Sequence, residues 1–249
     1  MSATNPFIYI GFFRTYREPH YDTDPTRPPV ELYGADSIYN TLMTSFIRKS
    51  QLELIAFTAQ ELCRNINANV ITKISENIGT IYFLDPGTGV ATFLVTSAEY
   101  ENSPINRTDA GSERKDTPAE IIVKYVTRKL ESKIGADFHL TLKSREEVDP
   151  KDSRRRDELI TLAKNELNAY LVRANQEPDK VRRITLDDRI TGIQDQLDDV
   201  KRVMHKTIDA ALMKGEKLDS LIAKSDNLSM QSRAFAAQAK KQNSCCVVM

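Results

Sequence analysis

The sequence predicts an α+β fold: an α-β-α sandwich on an antiparallel five-stranded sheet, followed by a long coiled-coil helix. Three observations carry that prediction. Several short runs before residue 100 alternate apolar and polar residues with a period of two, as half-buried strands do. Helical periodicity interrupts these runs once and then follows them. From Leu186 onward the apolar positions step by four and three in strict alternation, which is a heptad pattern.

The first run places Ile8, Ile10 and Phe12 on one face of a strand and Tyr9 and Phe13 on the other. The Pro- and Asp-rich stretch "YREPHYDTDPTRPP" reads as a long loop, and Val30 to Tyr33 as a second strand. After a lead-in of uncertain shape from Ser37 to Lys49, Leu52, Ile55, Ala59, Leu62 and Ile66 recur at helical spacing, predicting a helix from about Gln51 to Ile66. Leu54 and Phe57 fall on its other side, so this helix expects cover on two faces, one of them from a sheet. Three strands follow in "NVITKI", "GTIYFLD" and "GVATFLVTS", the last two joined by the turn "DPGTG".

"ENSPINRTDAGSERKDT" reads as a polar loop. Thr117, Pro118 and Glu120 then announce a helix start: a cap, a proline in the first turn and an acid at the third position. Ile121, Ile122, Tyr125, Val126 and Ile134 form its stripe, and Gly135 is placed to end it. "FHLTL" reads as a short extended piece. Leu159, Ile160, Ala163, Leu167, Tyr170 and Leu171 make a last helix before Pro178. The order is β-β-α-β-β-β-α-α.

Composition narrows the function. Lys+Arg and Asp+Glu balance at 35 each, so no strong net field favours nucleic acid. No stretch approaches the roughly 18 apolar residues of a membrane span, and the N-terminus lacks the basic region of a signal peptide. The cysteines are Cys63, Cys245 and Cys246, which make no disulfide framework. The Asn106 and Asn227 acceptor patterns are read as chance. His20, His139 and His205 are scattered, and no G-x-x-x-x-G-K-[ST], G-x-S-x-G, H-E-x-x-H or C-x-x-C occurs. His205 is expected on the charged side of the heptad helix. Neither an enzyme nor a cofactor or metal is expected.

The heptad seam runs through Leu186, Ile190, Ile193, Leu197, Val200, Met204, Thr207, Ala211, Lys214, Leu218, Leu221, Ser225, Leu228, Ser232, Phe235, Ala239 and Gln242, and twelve of these seventeen are apolar. Thr185 and Asp188 resemble a capping pair at its start. The helix it predicts is on the order of 85 Å long. Lys214 breaks the seam. A cation at such a position either sets register and partner identity or snorkels out of the interface.

At this point the residues resemble a family. The stretch "KRVMHKTIDAALMKGEKLDSLIAKSDNLSMQSRAFAAQAKKQNSCC" resembles the SNARE motif of an R-SNARE, and it is most similar to the prenylated, synaptobrevin-like longin type that has no transmembrane anchor. The family's hallmark run Arg-Gly-Glu-Lys-Leu-Asp corresponds to Lys214-Gly215-Glu216-Lys217-Leu218-Asp219, with lysine where the family has the arginine that meets three glutamines. "SFIRKSQLELIAFTAQELCRN" and the element order resemble the family's longin (profilin-like) domain. The resemblance implies a longin domain at 1–178, a linker at 179–184, an R-SNARE coiled coil at 185–242 and a lipidation tail at 243–249. It also implies pairing with three Q-SNARE helices (Qa, Qb and Qc). Phe57 falls where the family has an apolar residue that holds the longin domain against its own SNARE segment; it can equally be core, or both.

The tail fits the same picture. Cys246-Val247-Val248-Met249 matches C-a-a-X, and a terminal Met favours farnesyl on Cys246. One chain gives only marginal membrane binding, so Cys245 is a candidate for a second lipid, usually palmitoyl; the alternative is an unmodified thiol. A lipid carried by a protein off the membrane needs a groove. The expectation is therefore a closed form, with lipid and heptad face buried by the longin domain, and an open form on membranes. The membranes implied are the cytoplasmic faces of Golgi, vesicle, endosomal or vacuolar compartments. A lipid-anchored adaptor or tether with a homotypic coiled coil would share the heptads and the tail.

Overall fold

The computed structural model describes residues 5–15, 30–37, 45–65, 70–76, 79–87, 89–104, 117–134, 137–141, 143, 146–180, 201–206, 208–212, 217–226 and 228–244. The strands are β1 (Phe7–Arg14), β2 (Val30–Asp36), β3 (Val70–Glu76), β4 (Gly79–Leu84), β5 (Val90–Thr96) and β6 (Lys201–Lys206). The helices are α1 (Ser45–Asn65), α2 (Ala98–Asn102), α3 (Pro118–Ile134), α4 (Phe138–Thr141), α5 (Pro150–Gln176), α6 (Ile208–Ala211), α7 (Leu218–Lys224) and α8 (Met230–Ser244).

The strands form one sheet in the order β2-β1-β5-β4-β3-β6. Its first five members pair antiparallel, and β6 joins β3 in parallel. β4 and β5 are buried along their whole length, because helices lie on both faces of the sheet. One face carries α3 and α5, packed through Ile122, Val126, Leu159, Leu167 and Leu171 onto Phe12, Tyr82 and Leu94. The other face carries α1 and then the helices of the heptad segment. This is the predicted α+β sandwich on a five-stranded antiparallel sheet, with one strand added at its edge.

Local chemistry explains the elements that were legible. Gly87 and Gly89 take φ of 78° and 82° in the "DPGTG" turn, and the Asp85 carboxylate accepts from the Gly87 N–H at 2.8 Å. At the start of α3 the Thr117 N–H donates to Glu120 Oε2 at 2.9 Å, and the Glu120 N–H donates to Thr117 Oγ1 at 3.5 Å, a reciprocal capping box.

Several expectations are corrected. Ile8 does not share a face with Ile10 and Phe12. The register of β1 against β5 shifts between Phe7 and Tyr9, and Ile8 packs with Tyr9 and Phe13 on the α1 side. Asn175 secures that irregular stretch: its amide accepts from the Phe7 N–H at 2.8 Å and donates to the Phe7 carbonyl at 2.9 Å. "FHLTL" is not extended; Phe138–Thr141 is the short helix α4. The helix predicted before Pro178 runs from Pro150 to Gln176, with Asp149 capping it and proline in its first turn. Gly135 and the Thr185–Asp188 pair lie outside the described residues.

The largest departure concerns the heptads. They do not form one continuous helix here. Lys201–Lys206 is a strand, and the residues after it make three separate helices, α6, α7 and α8. The backbone edge of β3 is the reason for the first change. An uncovered edge presents unpaired N–H and C=O groups, and β6 pairs with it through Val70–Lys201, Thr72–Met204, Lys73–His205 and Ile74–Lys206. His205 therefore sits on a strand, not on the charged side of a helix. The break between α7 and α8 falls at serines, which favour helix ends over interiors. Ser225 closes α7, and Ser229 receives the N–H of Ser232 on its hydroxyl at 3.2 Å at the start of α8.

Candidate functional site

The candidate site is the second face of α1 and the heptad residues seated on it. The first turn of α1 is held to the end of β2 by Arg48, whose guanidinium meets Asp36 through Nε at 3.0 Å and Nη2 at 2.8 Å. Beyond that anchor α1 is apolar on two sides. Ile55, Ala59 and Leu62 are fully buried; Leu54 and Phe57 are buried as well, Phe57 at 8% exposure. All belong to one apolar cluster that runs from Ile81, Phe83 and Phe93 of the sheet, through α1, to Ile208, Ala211, Leu212, Leu218, Ile222 and Leu228. Leu52, Leu221, Phe235 and Ala236 close its rim. Burying each such aliphatic side chain is worth about 1.5–3 kcal/mol.

A polar contact fixes α8 in this arrangement. Glu53 of α1 accepts from the Ser229 hydroxyl at 2.7 Å, the Ser232 hydroxyl at 2.6 Å and the Ser229 N–H at 3.3 Å. Its carboxylate thus lies at the N-terminus of a helix, where negative charge is favoured. The hydrogen bond from Ser232, then that from Ser229, holds the Glu53 carboxyl below its ordinary pKa. α6 and α7 are tied by Asp209, which accepts from the Leu218 N–H at 3.3 Å.

The predicted seam residues divide as follows. Ala211, Leu218, Leu228 and Ser232 are buried, Leu221 and Phe235 pack at the rim of the cluster, and Ser225 is half-buried. Met204 lies in β6 opposite Thr72, and Ala239 lies on α8. Ile190, Ile193, Leu197, Val200, Thr207 and Lys214 lie outside the described residues, as do Cys245 and Cys246.

Heptad reading missed Ile208, Leu212 and Ile222, all buried in the cluster yet off the seam. The available signal was their own spacing: Ile208–Leu212 and Leu218–Ile222 are i,i+4 pairs, one face of a short ordinary helix. It also missed Glu53 and Ser229, because a contact across 176 residues leaves no local trace.

Comparison with known proteins finds a likeness in the heptad segment. Residues 189–247 match the Synaptobrevin family. That segment follows the α+β sandwich in the chain. The chain is similar to Ykt6 homologues. It is 49% identical over 89 residues to "Synaptobrevin homolog ykt6" of Schizosaccharomyces pombe, covering 36% of this chain and 42% of that protein. It is 55% identical over 62 residues to "VAMP-like protein YKT61" of Arabidopsis thaliana, covering 25% of this chain and 31% of that protein. The same coverage holds for "Synaptobrevin homolog YKT6" of Saccharomyces cerevisiae, at 52% identity. The matches thus span less than half the length of these relatives. Among the described residues no helix is long and apolar enough to cross a membrane.

Proposed function

We propose that this chain is an R-SNARE that joins three Q-SNARE helices, Qa, Qb and Qc, to fuse transport vesicles with Golgi, endosomal or vacuolar membranes. Residues 1–178 act as the longin domain that controls access to the motif at 185–242, across the linker at 179–184. The tail at 243–249 anchors the chain through farnesyl on Cys246 and palmitoyl on Cys245, since stable anchoring takes two signals. The seam from Ile190 to Ala239, with Lys214 at its central layer, is the surface that meets the partner helices.

One observation carries the regulatory half of this reading. The heptad residues that would line a four-helix bundle are held by the sandwich as a strand and three short helices. Lys201–Lys206 cannot pair with β3 and be helical at once, and Leu218 and Leu228 cannot face both α1 and a partner helix. Closed form and bundle therefore exclude one another. Phe57, in the cluster beneath these helices, is the residue through which the longin domain holds the motif.

Phe57→Glu tests the reading, because it forces a charge into the α1 face. The variant should shift from the soluble to the membrane fraction, and it should speed lipid mixing between liposomes that carry the lipidated chain and three Q-type helices. A variant as soluble and as slow as the native chain would reject the closed form. If native and variant chains both failed to mix lipids with any Q-type set while self-associating, the tether reading would replace the R-SNARE.

A further inference from the structure

α3 is covered on a side that the sheet does not reach. Its stripe Ile122, Val123 and Val126 packs on the sheet, with Tyr125 turned to Tyr170 of α5. Glu120, Lys124 and Arg128, spaced by four, form another stripe, with Ile121 beside it. A lysine and a glutamate there would ordinarily stand in water. Instead Glu120 is 5% and Lys124 7% exposed, and Ile121 and Arg128 are half-buried. From Pro118 to Thr127 no residue of α3 is exposed, while α5 in the same layer opens Lys164, Asn165, Asn168 and Val172 to solvent. The capping box accounts for Glu120; it does not account for Lys124 or Ile121. Among the described elements, α4 packs chiefly on α5.

The layout of the layer points to the cover. α5 lies over β1 and β2, and α3 over β4 and β5. The chain leaves α5 at Gln176 and returns as β6, beyond β3. α3 thus stands between the two ends of that connection. From β1 to β6 is four strand spacings, about 19 Å at ~4.8 Å each. Residues 181–200 would span about 30 Å even as a helix.

The chemistry of that connection fits the face. Leu186, Ile190, Ile193 and Leu197 recur at helical spacing, and Asp187, Asp188, Asp195, Asp198 and Asp199 outnumber Arg189. Such a surface offers apolar cover to Ile121 and acids to Lys124 and Arg128. Residues 105–116, which lead into α3, carry only Ile105 and Ala110 as apolar residues.

We propose that the outward side of α3 is a second docking surface of the closed form, and that its occupant is the chain's own residues 185–200. α3 then withholds the first heptads as α1 withholds the later ones, and a partner bundle finds no free heptad at which to start. This inference rests on the closed form proposed above.

The test follows Lys124 in the full-length chain by pulsed amine acetylation and mass spectrometry. Ile190→Asp and Leu197→Asp put charge into the occupant and leave the sandwich residues untouched. Each should raise labelling of Lys124 at least tenfold, while the amides of β4 and β5 keep their native hydrogen exchange. Replacing residues 105–116 by a Gly-Ser linker of equal length should leave labelling low. If Lys124 stayed protected in both occupant variants, or became reactive only on replacing 105–116, the proposal would be overturned and the closed form on α1 would stand. If the amides of α7 and α8 exchanged without protection in the native chain, the closed form would fall and this proposal with it.

Discussion

On the proposed reading, Ile222 separates the closed form from the assembled bundle. It is 7% exposed and packs with Leu218, Leu212 and Phe57 in the cluster on α1. It stands one position after a seam residue, Leu221, so in a four-helix bundle it lies at the edge of the interface. Ile222→Ala thus removes apolar volume from the closed form and little from the bundle. Truncating a buried isoleucine to alanine costs about 2–5 kcal/mol, and a site at the margin of the cluster belongs near the lower end, about 2–3 kcal/mol. The ratio of closed to open chain should fall roughly 30- to 150-fold, at 1.4 kcal/mol per decade. Native-state hydrogen exchange reads this directly: amides of α7 and α8 should lose protection by that factor, while those of β4 and β5 keep theirs. In the assembled complex the same substitution should change the thermal midpoint by little more than an exposed helical site does. Equal destabilisation of the complex and of the isolated chain would refute the view that the two states bury different faces.

Two further outcomes follow from single contacts. Asn175→Ala leaves both backbone groups of Phe7 without their amide partner and should lower the stability of the sandwich by about 1–3 kcal/mol, measured by urea unfolding. Glu53 is held ionised by its serine partners, so its contribution is present at neutral pH and is lost as pH falls through its lowered folded-state pKa. Exchange of the α8 amides should accelerate on acidification in that range, and Glu53→Gln should abolish the pH dependence without abolishing the fold.

Much of the sandwich was legible because its signals are local. A turn such as Asp85–Gly89 needs positive φ and a side-chain acceptor within a few residues, and both are visible in five letters. The Thr117–Glu120 box is equally self-contained. The two apolar faces of α1 also predicted that something beyond the sheet must cover Leu54 and Phe57. What covers them was less legible, because Ile208, Leu212 and Ile222 are hidden behind a stronger heptad signal.

By itself the sequence carried a heptad pattern from Leu186 to Gln242 and the alternating pattern of an α+β domain before it, since both periods are intrinsic to the chain. Only the tertiary structure decided which partner those heptads meet here. The unpaired edge of β3 turns Lys201–Lys206 into a strand, and α1 takes Leu218, Ile222 and Leu228 onto its second face. A heptad records that an apolar surface needs cover. It does not record whether that cover is another helix or the chain's own domain, because burial rewards either equally and only the position of α1 and β3 in space makes the choice.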